Sequence, residues 1–292
     1  MGADSLLAVT LIVFMVSSLL GVGLNLNLKE AFAALRDVRF VVLTLLCAFA
    51  LCPALAFILA QIIPLPEPYA IGLIFLGMAP CAPFFPGVAE KVGGDVSYVA
   101  AFVLLTAAGT VIFMPLATPY LVPGFKADAW TIARPLVFYI IAPLAIGVLV
   151  RSLAKTVADR VLPTVKNVAV IVTVIMLALV LWIYEPDFVR TVGSFAVATQ
   201  LLFYAIVACC SYGLAFGLPR SQKKVLAIGL CTRNIGAAFI PLIANPGTDR
   251  RAIAMVALAV PLTIVSALLF ARIAARFAPT VNNKSGADRS IA

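Results

Sequence analysis

The chain of 292 residues is 64% apolar by residue type and only 11% charged, against roughly 25% charged residues in soluble domains. A mean hydropathy of +1.14 leaves too little polar surface to coat a water-soluble globule, which excludes soluble enzymes, disordered tails, disulfide-stapled secreted domains and nucleic-acid binders. The net charge of +9, from 21 Lys and Arg against 12 Asp and Glu, takes its meaning from where the basic residues fall.

About 20 apolar residues cross the hydrocarbon of a bilayer as a helix. Charge-free runs cover 5–28, 40–66, 68–89, 96–125, 135–150, 167–184, 191–219 and 252–271, and a further run, 225–248, is interrupted only by Arg233. Nine spanning helices are expected, apolar all round as helices buried in lipid and in each other should be. The first run lacks a basic leader and a small-residue cleavage site, so it reads as a helix rather than a signal peptide. Between the first two runs, Leu28, Phe32 and Leu35 share a helical face among Lys29, Arg36 and Arg39, which suits either a short interfacial helix or a connecting loop. The run 135–150 is short but extends through Trp130 to Ala133 if Arg134 sits near an interface. Cys47, Cys52, Cys81, Cys209, Cys210 and Cys231 all lie inside runs and form no C-x-x-C pair, so they read as packing residues rather than disulfides or metal ligands. Residues 277–292 are polar and form an expected disordered tail.

Lys and Arg concentrate in cytoplasmic loops. With the N-terminus outside, Lys29, Arg36, Arg39, Lys91, Arg151, Lys155, Arg160, Lys166, Arg220, Lys223, Lys224, Arg272, Arg276, Lys284 and Arg289 fall inside. Only Lys126, Arg134, Arg190, Arg250 and Arg251 fall outside. The expected location is therefore a bacterial inner (plasma) membrane, with the N-terminus outside and the tail in the cytoplasm.

Ala70-Ile71-Gly72-Leu73 recurs as Ala227-Ile228-Gly229-Leu230, each at the start of an interrupted apolar stretch. The two copies run in opposite directions across the membrane in this topology, which is the inverted-repeat pattern of secondary transporters with broken helices. The halves fall at about 1–125 and 126–276 of a single transmembrane domain, 1–276. In the first copy, Pro80, Pro83 and Pro86 interrupt the run between Gly77 and Gly87, and each proline removes a backbone donor. Freed backbone groups at bilayer depth must be buried in protein or line a watery cavity, so this stretch reads as an unwound, ligand-lining segment or as a kink that serves packing. In the second copy, Thr232-Arg233-Asn234 interrupts the helix with polar groups.

Arg233 lies nine residues after Lys224 and twelve before Asn245, roughly 13 and 18 Å from the ends of its run at 1.5 Å per residue. A charge so deep costs about 2.5–3.5 kcal/mol even on insertion scales and should face the interior. No run carries an Asp or Glu near its middle to pair with it. Two readings stand: a guanidinium forking onto an anionic substrate, with Thr232 and Asn234 adding hydrogen bonds, or a cap on the carbonyls of the first broken helix.

Gly21-Val22-Gly23-Leu24-Asn25-Leu26, the proline-interrupted helix ending Gly94-Asp95, and Asn234-Ile235-Gly236 resemble the bile acid:sodium symporter superfamily over nearly the whole chain. The resemblance implies an all-α fold of core and panel domains, with two discontinuous helices crossing at the centre of the core. It also implies differences at the sodium sites. Phe85 and Pro86 stand where the family has a serine and an asparagine, Gly229 replaces a glutamate, Arg233 and Ala48 replace glutamines, and Val99 and Val103 stand in hydroxyl positions; Asn234 matches. Thr106 and Thr110 lie one and two turns further on.

Losing several oxygen ligands together argues against a family-type sodium site, and a fixed guanidinium could supply the positive charge instead. The expectation is a secondary transporter of a small organic anion, a carboxylate or sulfonate, with no enzymatic activity, cofactor, metal or nucleic-acid partner. The candidate substrate-binding residues are Asn25, Pro80, Cys81, Phe84, Phe85, Thr232, Arg233 and Asn234. Alternatives are a sodium-coupled anion symporter, an arsenite exporter using Cys81, and a non-transporting sensor or assembly protein in which Gly213-x-x-x-Gly217 packs helices.

Overall fold

A computed structural model describes residues 3–191, 193–245 and 247–276; the expected tail, 277–292, lies outside the described residues. Among the described residues the structure is helical throughout, apart from a single isolated bridge. Seven helices are long and apolar enough to cross a membrane. They are α1 (Ala3–Asn25), α3 (Val38–Ile62), α6 (Val96–Leu121), α7 (Ala129–Leu153), α8 (Lys155–Thr191), α9 (Ala196–Leu214) and α12 (Arg250–Arg276). Shorter helices make up the rest: α2 (Leu28–Ala34), α4 (Glu67–Met78), α5 (Phe85–Lys91), α10 (Arg220–Cys231) and α11 (Ile235–Ala244).

Polar side chains set the helix starts. Asn27, Asp37, Asp95, Asp128 and Asn234 each precede a helix and accept a bond from a first-turn backbone N–H, satisfying donors that a helix start leaves free. The Asp128 cap explains why α7 begins at Ala129 and runs the full width that its apolar run alone did not guarantee. The stretch after α1 is a helix, not a loop, but Ala31 and Ala34 are its buried residues while Phe32 stays 59% exposed. α8 outruns its apolar run at both ends because its 37 residues, about 55 Å, exceed the ~30 Å of hydrocarbon.

Prolines shape the interiors. α3 and α7 each contain one π turn, Cys47–Leu51 and Val137–Ile141, placed in the same register before Pro53 and Pro143. A proline cannot donate to the carbonyl four residues earlier and crowds it, and a widened turn relieves both problems without breaking the helix.

Helix α1 lies against α7 and α8, forming one three-helix layer. Its contact with α7 is backbone on backbone: a Cβ on Gly23 would stand 2.4 Å from the Leu144 carbonyl oxygen and 3.0 Å from Gly147 Cα. The remaining long helices pack round the short ones. α4 lies against α3 and α12, and α10 against α9 and α6. Gly72 and Gly229 both sit at close helix contacts: a Cβ on Gly72 would meet Ala252 O and Met255 of α12, and one on Gly229 would meet the Phe102 ring of α6.

Candidate functional site

The two interrupted stretches meet. α4 ends at Met78, because a residue preceding proline avoids helical angles and Ala79 (φ −115°, ψ 71°) precedes Pro80. α10 ends at Cys231, and Thr232 is extended. Pro80 and Arg233 then face each other in an antiparallel bridge, with Cys81 N–H donating to Thr232 O at 3.0 Å and Asn234 N–H to Ala79 O at 2.9 Å. Thr232 Oγ1 accepts from Ala82 N at 3.3 Å and donates to Gly229 O at 2.9 Å. Asn234 Oδ1 accepts from Ala237 N at 3.1 Å and so opens α11. Backbone freed by both breaks is thus satisfied mutually, as burial in an apolar medium demands. Cys81 adopts a left-handed conformation, φ 70°, to make the turn.

Arg233 is fully buried, with 0% of its surface exposed. Nη1 donates to Gly77 O at 3.5 Å, and Nη2 donates to Leu230 O and to Cys52 Sγ at 3.1 Å. Its guanidinium carbon lies 4.9 Å from the centre of the Phe203 ring, where a ring face attracts a cation. The side chain therefore faces the last turns of α4 and α10 and not an open space. Nearby, Gln200 Nε2 donates to Tyr204 Oη at 3.2 Å, and Tyr204 meets Thr263 Oγ1 at 2.9 Å.

On the other side of the crossing lies a cavity of about 520 Å³ between α1 and α8 on one wall and α5 and α6 on the other. Phe14, Val22, Phe84, Val99 and Val103 make its apolar body, and Asn25, Glu90, Lys91 and Lys166 bring polar groups. It narrows onto a recess of about 10 Å³ that shares Val22, Pro83 and Val103 with it and ends against Cys81, Thr106, Thr110 and Asn234. Thr106 and Thr110 donate their hydroxyls back to Phe102 O and Thr106 O, each at 2.7 Å. At the opposite end of α8, Arg250 Nε of α12 pairs with Asp187 Oδ2 at 3.0 Å and Arg250 Nη2 donates to Ile183 O at 3.0 Å, closing the two groups of helices together there.

The predicted site residues divide three ways. Asn25 and Phe84 line the cavity; Pro80, Cys81 and Asn234 line the recess; Thr232, Arg233 and Phe85 line neither. Phe85 is buried against Phe102, with ring centres 5.1 Å apart. Sequence reasoning missed Lys91 and Lys166 as cavity residues, since both read as topology charges at the ends of runs. It also missed Cys52 and Phe203 as partners of Arg233, because nothing in an apolar run marks which side chain meets a distant cation.

Long apolar helices packed round two interlocked broken helices define an integral membrane protein. A model of the Sodium Bile acid symporter family matches residues 9–189. Sodium/bile acid cotransporter 4 of Mus musculus is 23% identical over 245 residues, which cover 77% of this chain and 55% of that protein. The probable sodium/metabolite cotransporter BASS3, chloroplastic, of Arabidopsis thaliana is 20% identical over 230 residues, 78% of this chain and 53% of its own. Its counterpart BASS1, chloroplastic, is 29% identical over 163 residues, 54% and 40%. The chain spans about half the length of these relatives. The chain belongs to the Sodium Bile acid symporter family, a family of transporters and not of enzymes.

Proposed function

We propose that the chain is a secondary transporter carrying a small organic anion, a carboxylate or sulfonate, across a bacterial inner membrane without the family's sodium sites. The observation that carries this reading is the cavity of about 520 Å³ wedged between the α1–α8 wall and the crossing, a size suited to a small organic solute. Its apolar body suits a hydrocarbon skeleton, and Lys91 and Lys166, which share the lining with Glu30 and Glu90, offer charge to an acidic group. Arg233 lies outside this cavity and holds the crossing together behind it. The seven long helices together with the interrupted pairs α4–α5 and α10–α11 make nine crossings and two inverted halves, with α1, α7 and α8 as panel and the other helices as core. With the N-terminus outside, the cavity opens to the cytoplasm and the Asp187–Arg250 pair closes the outer side.

The donor chemistry supports sodium independence. Phe102 occupies the space that a side chain larger than Gly229 would need, and Phe85 is buried against the same ring. A hard cation wants several oxygen ligands, and the side chains at these positions carry none. The test is uptake of labelled carboxylates and sulfonates into proteoliposomes with and without sodium, for wild type and Val103→Trp, which fills the cavity. Uptake without sodium that falls at least tenfold in the variant is expected. Uptake seen only with a sodium gradient selects the symport alternative, and binding without flux selects a sensor.

A further inference from the structure

α4 and α10 are twelve residues each, and both end against Arg233. A helix end carries roughly half a negative charge on carbonyls that have no partner further along the chain. Two such ends brought face to face sum to about one negative charge in a dry interior. The guanidinium of Arg233 supplies one positive charge at that point, bonded to Gly77 O of one helix and Leu230 O of the other. Among the described residues no carboxylate pairs with it, and Nε has no partner. The Phe203 ring completes the enclosure at 4.9 Å. A cation is therefore built into the crossing, and its neighbours are groups that would hold a free one.

We infer that Arg233 is a tethered monovalent cation filling a cation site between the two helix ends, and that truncating its side chain reopens that site to a free cation of guanidinium type. Two consequences follow. The crossing is assembled whatever the ionic composition, so no ion has to arrive before the two broken helices move as one body. The positive charge also travels with the protein instead of being released, so it cannot link transport to an ion gradient. The inference concerns the crossing that the proposed sodium independence invokes, and it requires no substrate to be identified.

The test is thermal unfolding of the full-length protein in detergent, for wild type, Arg233→Ala and Arg233→Lys, in millimolar guanidinium, sodium or choline chloride at matched ionic strength. Wild type should respond alike to all three salts. Arg233→Ala should unfold at lower temperature and recover saturably in guanidinium, by about 3 °C at ten times the half-saturating concentration, and not in choline. Arg233→Lys should need no added cation. An Arg233→Ala protein as stable as wild type, or one that guanidinium stabilises no more than choline, overturns the inference. If Arg233→Ala does not fold, Arg233→Lys and Arg233→Met decide: a folded lysine variant with an unfolded methionine one upholds the charge requirement, and methionine equal to lysine overturns it. Because stability is read and not flux, failure here leaves the transport proposal standing, and absence of flux leaves this inference standing.

Discussion

The first break runs six residues, 79–84, and is bounded and filled by prolines, whereas the second takes three, 232–234, and is held by side chains. Prolines end a helix by removing donors, so the first break needs few partners and leaves space; Pro83, Phe84 and Pro86 border the cavity. The second break works through side chains: Thr232 Oγ1 and the Arg233 guanidinium donate to the carbonyls that end α10, Asn234 Oδ1 accepts from the first turn of α11, and of its three residues Asn234 lines the small recess. One topological task is thus performed by two chemistries, and they divide the crossing into a side that borders the cavity and a sealed side.

This contrast breaks hardest at the sealed side. Arg233→Ala should lower stability by about 3–5 kcal/mol, the cost of leaving buried partners of a lost charge uncompensated, read by denaturant unfolding in micelles. Gly72 and Gly229 test how alike the two interrupted stretches are. Gly72→Ala should cost about 2–3 kcal/mol because its Cβ would lie 2.6 Å from a backbone oxygen, and Gly229→Ala about 1–2 kcal/mol because the obstacle is the Phe102 ring, which can shift. Equal losses in the two midpoints would deny the difference. Asn234→Ala removes the cap on α11 and should cost about 1 kcal/mol, with faster hydrogen exchange confined to the first turn of that helix. The smallest effect has the opposite sign: Cys81→Gly should gain up to about 1 kcal/mol, because glycine adopts φ 70° without strain, and a loss would mean that the thiol is needed where it stands.

Much of this architecture is readable in the residues. Prolines at 80, 83 and 86 and the Thr-Arg-Asn run mark both breaks because they violate helix chemistry locally, where no distant contact is needed to notice them. Depth along its run identifies Arg233 as interior for the same reason. Its direction is another matter: a guanidinium reaches out in any direction round the helix, and only the placement of Gly77 and Cys52, more than 150 residues earlier in the chain, decides that it meets helix ends and not the cavity. Lys166 was equally opaque, since a lysine at the end of an apolar run serves topology as well as a cavity wall. The true length of α7 followed from Asp128, a cap that lies outside the apolar run and so escapes any reading of hydropathy.

The close seating of α1 on α7 has a consequence for biosynthesis. α1 ends at Asn25, and its glycine-to-glycine partner surface begins to emerge only with α7 at Ala129. At about 5–20 residues per second, the first helix waits roughly five to twenty seconds in the bilayer before the helix that fits its Gly23 notch exists. Two of its polar side chains need no partner helix in that interval, since Thr10 and Ser17 donate their hydroxyls to Leu6 O and Val13 O of the same helix, at 2.8 and 2.6 Å. α3 to α6 emerge meanwhile and α9 to α12 only after α8, so the layer of α1, α7 and α8 closes between two instalments of the group it packs against.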